Sequence, residues 1–107
     1  MYAVIDLETT GGRSSDDKII EIAIILFDGE KVVDRYQTLI HPQTYIPAYI
    51  TGITGIDDSM VADAPKFYEV AKKIVEFTEN TIFVAHNVSF DYGFLQAEFA
   101  SLGFKFD

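Results

Sequence analysis

The sequence predicts an α/β domain: a mixed sheet of three antiparallel strands and a parallel fourth, with flanking helices. Three observations carry this expectation. Runs rich in Ile, Val and aromatic residues occupy residues 2–7, 18–27, 31–42 and 81–86, and such runs bounded by turn residues form strands. The stretch "DGE" at residues 28–30 separates the second run from the third, and its Asp-Gly pair suits a hairpin. A helical pattern lies between the third and fourth runs. That makes a crossover, which sets strand four parallel to strand one.

Each element has its own local signal. "YAVIDL" is a buried first strand. Its connection to the second, "TTGGRSSDD", is polar and expected to be flexible. "KIIEIAIILF" and "KVVDRYQTLIHP" supply strands two and three of a meander. Residues 42–64 are irregular, interrupted by Pro42, Pro47, Gly52 and Gly55, with short helical turns expected near Pro47 and Asp57. Pro65 is expected at the first position of a helix, where its missing N–H is harmless. Phe67, Val70, Ala71, Ile74 and Phe77 then recur at helical spacing, with Lys72, Lys73 and Glu76 opposite. "TIFVAH" is β-branched, aromatic and too short for a helix, so it is strand four. Residues 89–102 form a second helix with Phe94, Leu95, Phe99 and Leu102 as its apolar stripe and Gly103 as its stop.

The 107 residues, 49% of them hydrophobic, suffice for one domain with a core. No apolar stretch approaches the roughly 20 residues that cross a bilayer, and no signal-peptide pattern is present, so no membrane partner is expected. Cysteine is absent. This excludes disulfides and thiolate metal sites and fits a cytoplasmic protein. The net charge is −9, from 17 acids against 8 bases, whereas sequence-independent DNA binders carry a basic surface. Nucleic acid is therefore either avoided or held through metal ions and local contacts.

Two acids end the first strand. On a strand, i and i+2 share a face, so Asp6 and Glu8 point together while Leu7 points into the core, with Cα atoms about 6.5–7 Å apart. Carboxylates that close raise each other's pKa unless a cation sits between them, and a hard ion such as Mg²⁺ suits such a pair. Thr9, Thr10, Gly11 and Gly12 add backbone N–H groups and room for close approach of a ligand. A lone pair of this kind also serves merely to solubilise a strand end, or as a phosphotransferase-type nucleophile. A second motif, "VAHNVSFDYGFL" at residues 84–95, sets Asp91 just inside a helix that follows a strand, where the helix dipole favours an acid. If strand four lies beside strand one, Asp91 meets Asp6 and Glu8. His86 and Asn87 can fix the strand-to-helix turn. Read alone, Asp91 is an ordinary first-turn acid and His86 a structural histidine.

"DLETTG" followed by "HNVSFDYGFL" resembles the first two motifs of the DEDD 3′–5′ exonucleases (DEDDh type) of the ribonuclease H-like fold, typified by the proofreading exonuclease module of bacterial DNA polymerase III epsilon. "IIEIAII", "HP" and "ITGIDDSMVADAP" extend the likeness over nearly the whole chain. The resemblance implies a two-metal site of Mg²⁺ or Mn²⁺, with Asp6 and Glu8 on one ion, Asp6 bridging to a second and Asp91 supporting it. It implies that Glu8 and the Thr9–Thr10 backbone, with Gly11, hold the terminal 3′-hydroxyl. Ile53, Thr54 and Ile56 are expected against the terminal bases, Thr54 standing where many relatives carry histidine. Asn87 and Phe90 complete the implied substrate residues.

The implied activity is release of nucleoside monophosphates from a DNA 3′ end, in proofreading or repair. Alternatives are an RNase or oligoribonuclease, or a non-catalytic nucleic-acid-binding or interaction module. A DNA polymerase or an attached GIY-YIG domain is an implied partner. The family's third motif, a histidine with an aspartate five residues later, is not found. Residues 1–107 are therefore expected to be the N-terminal portion of one exonuclease domain, lacking the last strand and helix. Such a portion is expected to be inactive alone and to self-associate through the surface left uncovered.

Overall fold

The computed structural model describes residues 1–106. Its strands are β1 (Tyr2–Thr9), β2 (Ile19–Phe27), β3 (Val32–Leu39) and β4 (Ile82–Val84). Its helices are α1 (Ala48–Thr54), α2 (Asp58–Val61), α3 (Phe67–Thr78) and α4 (Val88–Ser101). The sheet order is β3-β2-β1-β4, antiparallel across β1–β2 and β2–β3 and parallel across β1–β4. This is the mixed sheet expected from the sequence, with β4 at an edge.

Strand alternation decides where the core sits. Ala3, Ile5 and Leu7 of β1 join Ile22 and Ile24 of β2 on one face. Phe67, Val70, Ile74 and Phe77 of α3 and Phe94, Leu95 and Phe99 of α4 cover that face. Both long helices therefore lie on one side of the sheet. A second, smaller cluster joins Ile20 of β2 to Ile46, Ile50, Ile56 and Val61 of the α1–α2 region, with Leu39 of β3 packed against it.

Several boundaries differ from expectation. Helix α3 begins at Phe67, after Pro65; Lys66 is its cap, and its N–H donates to Glu69 Oε1 at 2.9 Å. Pro65 thus serves the approach to the helix and not its first turn, because its carbonyl accepts from His41 N–H at 2.8 Å and so ties the segment to the end of β3. Strand β4 stops at Val84, which leaves His86 beyond it. Leu102 is exposed and outside the core stripe of α4, since the helix ends at Ser101. Glu98 and Asp91 are buried on that helix instead.

The connection after β1, expected to be polar, is bonded internally. Thr10 N–H donates to Lys18 O at 2.8 Å, Lys18 N–H returns to Thr10 Oγ1 at 3.0 Å, and Arg13 N–H donates to Asp17 Oδ2 at 2.9 Å. Its polar residues bond one another, so the loop has its own internal framework.

Candidate active site

Asp6 and Glu8 lie on the sheet face that α3 and α4 leave open, as alternation requires. Their cross-strand neighbours on β2 are Ala23 and Glu21. Three carboxylates therefore crowd one end of this face. The Glu8 carboxyl is pushed above its ordinary value by burial, then by the negative charges of Asp6 and Glu21.

Asp91 reaches the same place from the other direction. β4 pairs with β1 only along Tyr2, Ala3 and Val4, so the β4 side of β1 is uncovered further on. Helix α4 starts just there. Asn87 caps it, its side chain accepting from Phe90 N–H at 3.4 Å. One turn in, Asp91 is 7% exposed and its carboxylate accepts from the Leu7 backbone N–H. Burial pushes its pKa up to about 6, with the Asp6 and Glu8 charges adding to the rise; His86 and the Leu7 N–H oppose it. An aspartate whose pKa is raised first by burial and then by two neighbouring carboxylates marks a place where negative charge lacks compensation.

The three side chains form an all-oxygen donor set, the chemistry that Mg²⁺ or Mn²⁺ takes. Asp6, Glu8 and Asp91 would hold such an ion. They lie within electrostatic reach of one another, yet among the described residues no three acid or histidine side chains already converge on one ion-sized point. The donor chemistry fits the metal, while the three side chains do not form a closed shell about one point.

The remaining residues implied for substrate separate into two groups. Ile53 is 76% exposed on α1. Asn87 is exposed at the α4 cap. Thr9 and Thr10 are buried and their hydroxyls are spent within the loop, Thr9 Oγ1 on Gly11 O at 2.6 Å and Thr10 Oγ1 on Asp17 at 3.3 Å. The Thr10 N–H is spent as well, on Lys18 O at 2.8 Å, so neither hydroxyl nor that N–H is open to a ligand.

Gly11 makes its close approach to Asp17, not to open space: a Cβ there would stand 2.5 Å from Asp17 Oδ2. Thr54 Oγ1 donates to Ile50 O at 2.9 Å and accepts from Ile56 N–H at 3.1 Å, which occupies it with capping α1. Ile56, expected against a terminal base, is buried in the smaller core. Gly55 adopts φ 77° at the end of α1, and the reversal turns the next side chain inward. Phe90 is half-buried, its ring 4.8 Å from that of Phe94.

α1 stands beside the acidic row. Its Ile50 packs with Ile20 and Leu39. Leu39 is the cross-strand partner of Glu21, which is the partner of Glu8. At about 4.8 Å per strand, Leu39 lies roughly 10 Å from Glu8. Glu21 was legible from the hairpin register once β1 and β2 were paired. Asp17 and Glu98 carried no local signal. Glu98 is 8% exposed, and its Oε2 accepts from Ile19 N–H at 3.0 Å, where the β1–β2 register shifts between Glu8 and Thr9 and the ladder is interrupted.

The family model described as "Exonuclease" (RNase_T) matches residues 3–106. The chain is 43% identical to a DNA polymerase III PolC-type of Caldanaerobacter subterraneus subsp. tengcongensis over 102 residues, which is 95% of this chain and 7% of that protein. It is 39% identical over 105 residues to a 3′-5′ exonuclease DinG of Staphylococcus haemolyticus, covering 98% of this chain and 12% of the relative. Among solved structures, exonuclease X in complex with 5′ overhanging duplex DNA superimposes with a TM-score of 0.75 at 34% identity, over 89% of this chain and 54% of that one. The chain thus spans a small part of the curated relatives it matches.

Proposed function

The chain belongs to the exonuclease family, and from that premise we propose that it carries the metal-binding half-site of a divalent-metal-dependent 3′–5′ exonuclease. The substrate we assign is a DNA 3′ end, and the products are nucleoside monophosphates. The observation that carries this reading is Asp91, buried beside Asp6 and Glu8 with its carboxyl pushed up to about 6. When bound, a divalent ion there neutralises the phosphate and activates the attacking water.

The chain's own residues do the positioning. Strand alternation holds Asp6 and Glu8 side by side. The Asn87 cap and the Leu7 N–H aim Asp91 at them. The backbone of Thr9 and Thr10 lies at the strand end, where a terminal 3′-hydroxyl is within reach of Glu8. Ile53 offers an apolar surface to the terminal base. The PolC-type and DinG relatives support a DNA replication or repair setting, with a DNA polymerase as the partner.

Calorimetric titration of the chain and of its Asp6→Ala variant with Mn²⁺ or Mg²⁺ tests the reading. Binding by the chain and its loss in the variant are expected. Absence of metal binding, or equal binding by both proteins, overturns it.

A further inference from the structure

Helix α1 buries Ile50 and turns two large side chains outward, Tyr49 at 63% and Ile53 at 76% exposure. They are four residues apart and so share one side of the helix. Isolated exposed apolar residues need no explanation. These two differ in their electrostatic setting. From Tyr36 to Ile56 the sequence holds no Asp, Glu, Lys or Arg, in a chain whose net charge is −9. This uncharged window includes α1 and adjoins the acidic row through Leu39. A polyanionic strand meets less repulsion here than over the charge-dense remainder of the surface. With no Lys or Arg in the window, and with its one histidine, His41, engaged through Nδ1 by the Gln43 N–H, the contact that α1 can make is with bases.

We propose that Tyr49 is a base-stacking residue that receives an unpaired base inward of the 3′ terminus. The assignment rests on the exonuclease reading, with Ile53 facing the terminal base. One helical turn advances 5.4 Å, and successive nucleotides of a stacked strand advance about 3.4 Å. Tyr49 therefore faces the second or third nucleotide. Stacking on an aromatic ring tolerates any base, since each has a π-face. The site thus selects unpaired strand over duplex and is indifferent to sequence.

The test is a fluorescence titration of the chain with single-stranded DNA carrying 2-aminopurine at the terminal, second, third or eighth position from the 3′ end. It compares the unsubstituted chain with Tyr49→Ala, Tyr49→Phe and, as a control exposed on α3, Tyr68→Ala. Stacking quenches the probe at the second or third position. Tyr49→Ala is expected to remove that quench and weaken binding about tenfold; Tyr49→Phe and Tyr68→Ala are expected to leave both unchanged. Equal quench and affinity in Tyr49→Ala, or no DNA binding by the unsubstituted chain, overturns the assignment.

The Asp6→Ala metal titration separates the two readings. Metal binding that depends on Asp6, with no quench that depends on Tyr49, overturns the Tyr49 assignment alone. The opposite pair of results overturns the exonuclease reading and leaves a base-stacking surface.

Discussion

Replacing Asp91 with Asn should stabilise the metal-free chain while weakening its response to metal. Asn keeps an oxygen for the Leu7 N–H but carries no charge. The rise of the Asp91 pKa from 3.8 to about 6, at about 1.36 kcal/mol per pH unit, corresponds to roughly 3 kcal/mol against the ionised form. Solvent at the mouth of the site screens part of this, so about 1.5 kcal/mol is the working figure. Against it stands the favourable dipole of α4 acting on a first-turn acid, about 0.5 kcal/mol. The penalty wins by about 1 kcal/mol, or roughly 4–8 °C in Tm for a domain of this size.

The pH dependence follows in sign. The folded chain holds the Asp91 proton more tightly than the unfolded chain does. Stability is therefore lost as pH rises from 3.8 towards about 6, and the full penalty is present above that. Thermal melts of both proteins at pH 4 to 8, with and without Mn²⁺, give the readout. The variant should melt higher near pH 7.5, lack the decline between those values, and gain less from Mn²⁺. A variant that melts lower at pH 7.5 and responds to Mn²⁺ as the parent does refutes the like-charge cluster.

Three other outcomes follow from the packing. Glu98→Gln keeps an acceptor for Ile19 N–H but removes a carboxylate whose pKa is raised chiefly by burial. Its stability at pH 7 should match or exceed the parent's, without the parent's loss as pH climbs above 4.5, whereas Glu98→Ala should cost about 1–3 kcal/mol; denaturant melts over pH decide. Gly11→Ala should cost about 1–2 kcal/mol by displacing Asp17 from Arg13 N–H, and much less in an Asp17→Ala background, so additive effects in that double-mutant cycle would sink the explanation. The open sheet face presents Tyr2, Val4, Ile82 and Val84 to solvent, so the 107-residue chain should self-associate at high concentration and Val84→Lys should weaken this; a constant monomer mass in light scattering would count against it.

Much of the arrangement was legible one segment at a time. Period-two alternation in "YAVIDLET" sends Asp6 and Glu8 to one face whatever the rest of the chain does. The Asp-Gly turn dictates that β2 and β3 pair antiparallel, and the apolar spacing of α3 dictates which side it buries. These are consequences of local geometry, so the sequence alone determined them.

Tertiary structure decided which remote groups meet. β4 ends opposite Val4, and only that leaves the Leu7 N–H for Asp91 to use. Glu98 reaches Ile19 across 79 residues because the β1–β2 register shifts there. Ile56 turns inward because Gly55 reverses the chain, although its composition matched that of exposed Ile53. Periodicity tells a side chain which side to face. The backbone group or charge it finds there depends on strand length, register and loop closure, which no short window of sequence contains.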